Sequence, residues 1–137
     1  MLSSLITTKP RFVEEKKPKD FFFESLRAFD LDQRKAESSR ILKKYPNRIP
    51  VIVDRGDAQT PSISKHKYLV PGECTMQEFQ SIIRSKVNLD PSQALFLFVG
   101  SHHTLSTPSS NMNQMYKQHK DEDGYLYITY MLETTFG

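Results

Sequence analysis

The stretch at residues 41–53, ILKKYPNRIPVIV, joins the end of a basic helix to the start of a strand. The pair Tyr45-Pro46 ends the helix, because the proline ring clashes with a helical conformation in the residue before it. Asn47 favours a turn, and the β-branched run at residues 49–53 is typical of a strand. Pro50 cannot donate to a neighbouring strand, so we expect it near the strand start, at an edge-facing position or at a bulge.

Length and composition limit the class of protein. The 137 residues, 37% of them hydrophobic, suit one domain with room for a tail. The net charge of +3 is too evenly balanced to require nucleic-acid binding. The single cysteine, Cys74, excludes an internal disulfide, and no apolar run is long enough to span a bilayer. We therefore expect a cytoplasmic protein that does not bind nucleic acid.

The chain divides into two parts near residue 22. The cluster KPRFVEEKKPKD at residues 9–20 cannot bury enough apolar surface to order itself. We predict a flexible N-terminal extension at residues 1–22 and one domain at residues 23–137. The run Phe21-Phe22-Phe23 either fixes a first short helix to the core or forms an exposed patch that touches a membrane or a partner, and the sequence leaves both open.

The first half of the domain has a helical and then an extended pattern. A basic helix is predicted over residues 32–44, with Leu31, Ser38, Leu42 and Tyr45 along one side. Basic runs of this kind are usually solvated faces.

Two strand patterns follow the basic helix. Residues 48–55 form the first strand, and residues 65–71, KHKYLVP, form a second. Lysines near the start of the second strand and a proline at its end are features of an exposed sheet edge. Such an edge can also accept a partner strand.

The second half begins with a strong helix signal. Thr75 and Glu78 form a capping-box pattern. The helix that follows is amphipathic, with apolar residues at Met76, Phe79, Ile82, Ile83 and Val87.

Three shorter signals complete the domain. Residues 94–99 are apolar without alternation, which predicts a strand covered on both faces. Ser109 or Ser110 is predicted to cap a short helix, and residues 125–131 form the last strand. The order is compatible with an α+β, ubiquitin-like β-grasp: a four-stranded mixed sheet with a helix packed across it and one or two extra N-terminal helices.

Catalytic and metal-binding signals are weak. The histidines are scattered, and the neighbours His102 and His103 point to opposite sides if extended, which is poor geometry for a shared metal. No residue lies in a recognisable nucleophile motif, and a lone cysteine before a helix is usually a small packing residue. We predict no enzyme activity, no metal site and no cofactor.

Five ordered blocks carry a family resemblance: RKAESSRILKKYPNRIPVIV, KHKYLVP, TMQEFQSIIRSKVNL, ALFLFV and NMNQMYKQHKDEDGYLYITY, followed by the terminal Phe136-Gly137. From about Arg34 the chain closely resembles the autophagy-related ubiquitin-like modifiers, the protein-eight family that includes the GABA-receptor-associated protein and the microtubule-associated-protein light chains. One block alone would not be specific, but five with compatible spacing are.

The resemblance implies a modifier on which enzymes act. Gly137 matches the glycine that activating and conjugating enzymes join to phosphatidylethanolamine and that a deconjugating cysteine protease releases. The implied protein is cytoplasmic and becomes associated with the autophagosome membrane after lipidation.

The resemblance also implies recognition of aromatic-x-x-aliphatic motifs in cargo receptors, which add as a strand along the second-strand edge. The aromatic site would comprise Glu37, Ile41, Pro50, Lys67, Leu69 and Tyr125. The aliphatic site would comprise Tyr68, Val70, Phe79 and Ile82. Arg48, Lys65 and Arg84 would attract acidic residues that flank the motif.

The chain departs from the family pattern at two of these places. Cys74 stands where relatives usually have a leucine that lines the aliphatic site, and Tyr125 replaces the commoner phenylalanine. Two alternatives to the lipid-conjugated modifier stay open. One is a ubiquitin-like peptide-binding module that is never conjugated, and the other is a basic protein that binds tubulin or nucleic acid through residues 34–48.

Overall fold

The computed structural model describes residues 22–133. The predicted extension, Phe22 apart, and the last four residues lie outside the described range, so those predictions stay predictions. The described helices and strands are, in chain order, α1 (Phe22–Arg27), α2 (Leu31–Lys44), β1 (Arg48–Arg55), β2 (Lys67–Pro71), α3 (Met76–Lys86), β3 (Leu95–Val99), β4 (Thr104–Leu105), α4 (Met112–His119) and β5 (Leu126–Leu132). Helix α1 begins one residue before the predicted domain start.

The described strands form one mixed sheet in the order β2-β1-β5-β3-β4. Strands β1 and β5 are parallel, and the other neighbours are antiparallel. The α+β ubiquitin-like prediction is confirmed, and two N-terminal helices are present. The predicted count of four strands is wrong. The strand that the prediction missed is β4, which is exposed and only two residues long. A strand of that length leaves no periodic signal in the sequence.

Pro50 lies in β1, opposite Leu69 of β2. The Val53 amide donates to the His66 carbonyl and the Gly72 amide to the Asn47 carbonyl. Because hydrogen-bonded pairs alternate in an antiparallel ladder, the Pro50–Leu69 pair is one of those that exchange no hydrogen bond. The Pro50 nitrogen therefore faces the β5 side, where pairing begins only at Val51. The proline removes no ladder hydrogen bond, which agrees with its predicted place near the strand start.

Helices cover both faces of the sheet. On one face, the buried side chains Met76, Phe79 and Ile83 of α3 pack with Val51 of β1 and Ile128 of β5. This larger cluster also takes in Met112 and Met115 of α4. The helix predicted to cross the sheet is therefore confirmed.

The opposite face holds a second buried cluster. Leu26 of α1 and Ile41 of α2 pack there against Ile52, Tyr125 and Tyr127. Of the two alternatives for the aromatic run near residue 22, the structure supports docking, because Phe22 and Phe23 pack against this cluster.

The buried side of α2 agrees only in part with the predicted one. The helix buries Glu37, Ser38 and Ile41, whereas Leu31 and Leu42 are only half-buried. Glu37 accepts a hydrogen bond from Lys67, and the Ser38 hydroxyl donates to the Asp123 carbonyl. Of the predicted side, Ser38 is buried and Tyr45 packs against the second cluster. The pattern missed Glu37 and Ile41, and the polar partners of Glu37 and Ser38 lie far away in the sequence.

Strand β3 is covered less completely than predicted. Leu95, Leu97 and Val99 are buried on the α3 face, but Phe96 and Phe98 are half-buried on the other. Part of this strand therefore faces the surface despite its continuous apolar sequence. Within the described residues, no helix is long and apolar enough to cross a membrane.

The helix caps are partly as predicted. Thr75 caps α3 through the predicted box, in which its side chain accepts from the Glu78 amide and Glu78 accepts from the Thr75 amide. Helix α4 is capped by Asn111 with Gln114 rather than by Ser109 or Ser110. The prediction was one residue short, because a serine and an asparagine at adjacent positions are both good caps.

Replacing Asn111 with alanine should lower the free energy of unfolding by about 0.5–2 kcal/mol, because the Gln114 amide loses its acceptor. Ser109→Ala, at an exposed position, should change it by less than about 0.5 kcal/mol. Urea denaturation of both variants measures this. A larger loss for the serine variant would contradict the assignment of the cap.

Candidate functional site

Strand β2 lies at the edge of the sheet and pairs, among the described residues, only with β1. The ladder geometry directs the backbone groups of Tyr68 and Val70 towards β1. The N–H and C=O groups of Lys67 and Leu69 therefore point away from the sheet. Such groups are what an added strand would pair with.

One of these outward groups already has a partner. The Arg48 guanidinium donates to the Leu69 carbonyl at 3.3 Å in an exposed position. The sequence placed Arg48 among the charges that attract acidic flanks, and the structure gives it this further contact. A strand that pairs with Leu69 must share that carbonyl with Arg48 or displace its side chain.

The aromatic site (Glu37, Ile41, Pro50, Lys67, Leu69 and Tyr125) is brought together on the α2 face of the sheet. Glu37 Oε1 accepts from the Lys67 ammonium at 2.9 Å and from the Tyr125 hydroxyl at 2.5 Å. The Lys67 ammonium also lies 5.2 Å from the centre of the Tyr125 ring. Glu37 Oε2 is buried and has no partner among the described residues. Lys67 of β2 and Tyr125, just before β5, thus share one carboxylate oxygen of Glu37 in α2.

Burial controls the ionisation of this group. It lowers the pKa of Lys67, and the hydrogen bond to Glu37 partly offsets the effect. Burial, followed by the hydrogen bond to Glu37, raises the pKa of Tyr125 far above its ordinary value. Tyr125 therefore stays a protonated donor at neutral pH.

The aliphatic site (Tyr68, Val70, Phe79 and Ile82) lies on the opposite, α3 face. Tyr68, Val70 and Phe79 are members of the larger core cluster, and Phe79 is fully buried. Ile82 is 39% exposed, and half-buried Cys74 packs against the same cluster. The site therefore presents one exposed side chain beside a closed core surface.

The three predicted flanking cations differ in what they contact. Lys65 is exposed, and its ammonium lies 5.1 Å from the centre of the Tyr68 ring. Arg84 donates to the carbonyls of Asp90 and Pro91 at 3.3 and 3.0 Å. Arg84 thus holds the loop after α3 through these two hydrogen bonds.

Sequence reasoning missed a polar hub at Asp123, which is fully buried just before β5. Its carboxylate accepts from Arg34 at 2.7 Å and from the Tyr127 hydroxyl, and its carbonyl accepts from Ser38. The following Gly124 has φ +91°. The turn sequence Asp-Glu-Asp-Gly was the available signal. The hub holds α2 beside Tyr125 and the start of β5.

A cleft of about 330 Å³ lies elsewhere, between α1 and the turn after β3. Its lining includes Phe23, Arg27, His103, His119 and Tyr127, and none of its lining residues belongs to the predicted sites. Over the described range, no group of three or more His, Cys, Asp or Glu side chains could hold a metal ion.

The free energy of unfolding should fall above about pH 10. Burial raises the pKa of Tyr125, Tyr127 and Tyr130, so the unfolded chain releases three protons near pH 10 that the folded protein keeps. Each phenol contributes a loss of about 1.4 kcal/mol per pH unit. Lys67, with its pKa lowered, acts in the opposite direction but is a single group.

Urea denaturation between about pH 9 and 11 checks this slope. Tyr130→Phe should reduce the slope by the contribution of one phenol, about 1.4 kcal/mol per pH unit. A free energy of unfolding that does not change over this pH range would contradict the claim that burial raises these tyrosine pKa values.

Three comparisons identify the family. The family model described as "Autophagy protein Atg8 ubiquitin like" matches residues 33–137. Autophagy-related protein 8 of Kluyveromyces lactis is 47% identical over 110 residues, covering 80% of this chain and 87% of the relative. Autophagy-related protein 8a of Arabidopsis thaliana is 47% identical over 108 residues, covering 78% and 87%.

A solved structure agrees with the sequence comparisons. The crystal structure of Trypanosoma brucei ATG8 superposes with a TM-score of 0.71 at 31% identity, covering 80% of this chain and 93% of that one. The family resemblance found in the sequence is thus confirmed. The chain belongs to the Atg8 family and is a ubiquitin-like modifier of autophagy.

Proposed function

We propose that the chain is conjugated through Gly137 to phosphatidylethanolamine. Membership of the Atg8 family supports this, and Gly137 lies five residues after the end of β5. Five extended residues span at most about 17 Å, enough to carry a carboxylate away from the sheet. A residue without a β-carbon can enter a narrow channel and present its carbonyl to an attacking group.

In this reaction the protein is the group transferred rather than the catalyst. The Gly137 carboxylate reacts with ATP to form an adenylate and release pyrophosphate. Cysteine thiols of an activating and then a conjugating enzyme carry it as a thioester, with loss of AMP at the first transfer. The lipid amine then displaces the last thiol and forms an amide, which a cysteine protease later hydrolyses.

Attachment to the lipid moves the protein between two locations. The unconjugated form is cytoplasmic, and the conjugated form is held on the autophagosome membrane by its lipid. The partners are the enzymes that form and break the amide, together with cargo receptors.

The same domain binds aromatic-x-x-aliphatic motifs along β2. The observation that supports this proposal is a sheet edge with outward backbone groups at Lys67 and Leu69, flanked by two apolar clusters on opposite faces. A peptide strand on this edge would direct alternate side chains to the two faces. Arg48 and Lys65 lie beside the edge and favour acidic flanking residues.

The expected affinity follows from the size of the site. Two apolar anchors contribute roughly 1.5–3 kcal/mol each, and ordering the peptide offsets part of that gain. A dissociation constant on the order of micromolar results for one peptide. Several modifiers attached to one membrane would raise the effective affinity by avidity.

The conjugation proposal predicts a mass increase equal to one phosphatidylethanolamine less water. The assay incubates the chain ending at Gly137 with activating and conjugating enzymes, ATP and phosphatidylethanolamine liposomes, and reads the product by mass spectrometry. Gly137→Ala should reduce the product at least about tenfold, because a methyl group enters the reaction channel. Thr135→Ala is the control in the same tail. An unconjugated wild type would favour the non-conjugated module instead.

The edge-strand proposal predicts that Leu69→Pro binds a peptide about tenfold more weakly than Leu69→Ala. Both changes remove the leucine side chain, but only proline removes the outward N–H, and neither removes a hydrogen bond to β1. Calorimetric titration with the peptide Glu-Asp-Trp-Ser-Ser-Leu measures the difference, with circular dichroism as the folding control. Equal affinities would mean that the peptide does not pair with the edge.

A further inference from the structure

A polar cleft lies between α1 and the turn after β3, and it contains none of the residues assigned to peptide binding or conjugation. Its volume of about 330 Å³ falls within the range of small-molecule sites. Its lining includes the aromatic residues Phe23 and Tyr127 and four side chains that carry N–H donors: Arg27, His103, His119 and Lys120. Neither proposed function uses this cleft.

The backbone of the turn brings two histidines to the same cleft. Gly100 has φ +79°, and a β-carbon on it would lie only 3.2 Å from the β-carbon of His119, at the end of α4. The missing side chain therefore lets the turn approach that helix closely. His103 has φ +52°, a left-handed conformation that is strained for a residue with a β-carbon and free of strain for glycine. The turn thus carries a histidine where its backbone favours glycine, and strained positions of this kind cluster at binding sites.

The nitrogen donors of the cleft have few partners within the protein. In the described part of the chain, no hydrogen bond involves the ring nitrogens of His103 or His119. The Lys120 ammonium lies 5.5 Å from the centre of the Tyr116 ring and forms no ion pair with a described carboxylate. A neutral imidazole has one N–H and an ammonium has three. These donors are therefore available to a ligand.

Arg27 is held loosely beside these groups. Its guanidinium lies 4.9 Å from the centre of the Tyr127 ring and 3.6 Å from Asp121 Oδ1, and its side chain is 48% exposed. At 3.6 Å the Asp121 contact is an ion pair rather than a hydrogen bond. The N–H donors of the guanidinium thus form no hydrogen bond to residues 22–133.

Acceptors are scarcer than donors in the cleft. The second oxygen of Asp121 accepts from the Asp123 amide at 3.0 Å, so that carboxylate is engaged within its own turn. Glu122 is exposed and is the other carboxylate among the described lining residues. Two basic side chains and two imidazoles therefore face one free carboxylate. A ligand that complements them carries negative charge and several oxygen acceptors.

We propose that the cleft binds a phosphate monoester group, with Arg27 and Lys120 pairing with its charge and His103 and His119 donating to its oxygens. A guanidinium matches two oxygens of one phosphate, and the third oxygen remains for the imidazoles and the ammonium. The group is carried either by a small soluble ester or by a lipid headgroup, and the same donors serve both. The proposal is independent of conjugation and of peptide binding.

The first measurement titrates the full chain with glycerol 3-phosphate at constant pH and ionic strength. Nuclear magnetic resonance follows the ring C–H signals of His103 and His119. We expect saturable shifts of both signals with a dissociation constant on the order of millimolar, because one small anion makes few contacts. Shifts that only grow in proportion to the added ester, as they do with added chloride, would overturn the proposal.

Arg27→Gln should raise this dissociation constant at least about fivefold, because the bidentate contact and its charge are lost. Arg40→Gln is the matched control, since Arg40 is an exposed arginine of α2 outside the cleft. It should leave the dissociation constant within about twofold of the wild type. An equal loss in both variants would mean that the anion responds only to net charge, which overturns the site.

His103→Gly separates binding from folding. Because φ at this position suits glycine, the variant should keep a urea midpoint close to that of the wild type while it binds glycerol 3-phosphate about threefold more weakly. A purely structural role for the histidine would not give this combination. His102→Ala changes an exposed neighbour that does not line the cleft, and it should bind as the wild type does. Unchanged binding by His103→Gly would count against the site.

A vesicle assay distinguishes the two sources of the phosphate group. Phosphatidylcholine vesicles with and without phosphatidic acid are sedimented with the unconjugated chain. Binding that requires phosphatidic acid and Arg27, but not Arg40, assigns the site to a lipid headgroup. Saturable binding of glycerol 3-phosphate without vesicle binding assigns it to a soluble ester. Absence of both overturns the proposal and leaves the conjugation and peptide-binding proposals unaffected.

Discussion

The ion pair between Lys67 and Glu37 connects the free edge of the sheet to the helix that covers one of its faces. At 2.9 Å, and with both side chains almost fully buried, it removes two charges from water. Such a pair adds little stability beyond its desolvation cost, but the loss of one partner leaves an unpaired buried charge. The position of α2 along the sheet is therefore tied to the edge strand.

A second polar cluster, around Asp123, also holds α2 to the sheet. Arg34 and Ser38 of α2 donate to the carboxylate and the carbonyl of Asp123, which lies just before Tyr125 and β5. Helix α2 is thus held to the sheet at two places. Glu37 bonds to Lys67 of β2, and Arg34 and Ser38 bond to Asp123. Apolar packing supplies the burial, and these charges select which side of the helix is buried.

The edge strand links the fold to the proposed peptide binding. Because side chains alternate along a strand, Lys67 and Leu69 belong to the α2 face, and Tyr68 and Val70 to the α3 face. A peptide along this edge meets both faces at once. The edge strand β2 and the central strand β5 belong to the same sheet of this Atg8-family chain.

The sequence by itself determined the family, the α+β class, the bounds of β1 and the capping box of α3, because these depend on local patterns or on ordered blocks of residues. Only the tertiary structure decided which side of α2 is buried, that Asn111 rather than a serine caps α4, and that a fifth strand exists. It also showed that Tyr125 and Lys67 share one oxygen of Glu37. The two hydrogen bonds to Glu37 join partners 30 and 88 residues apart, and no periodicity along the chain reports such distances.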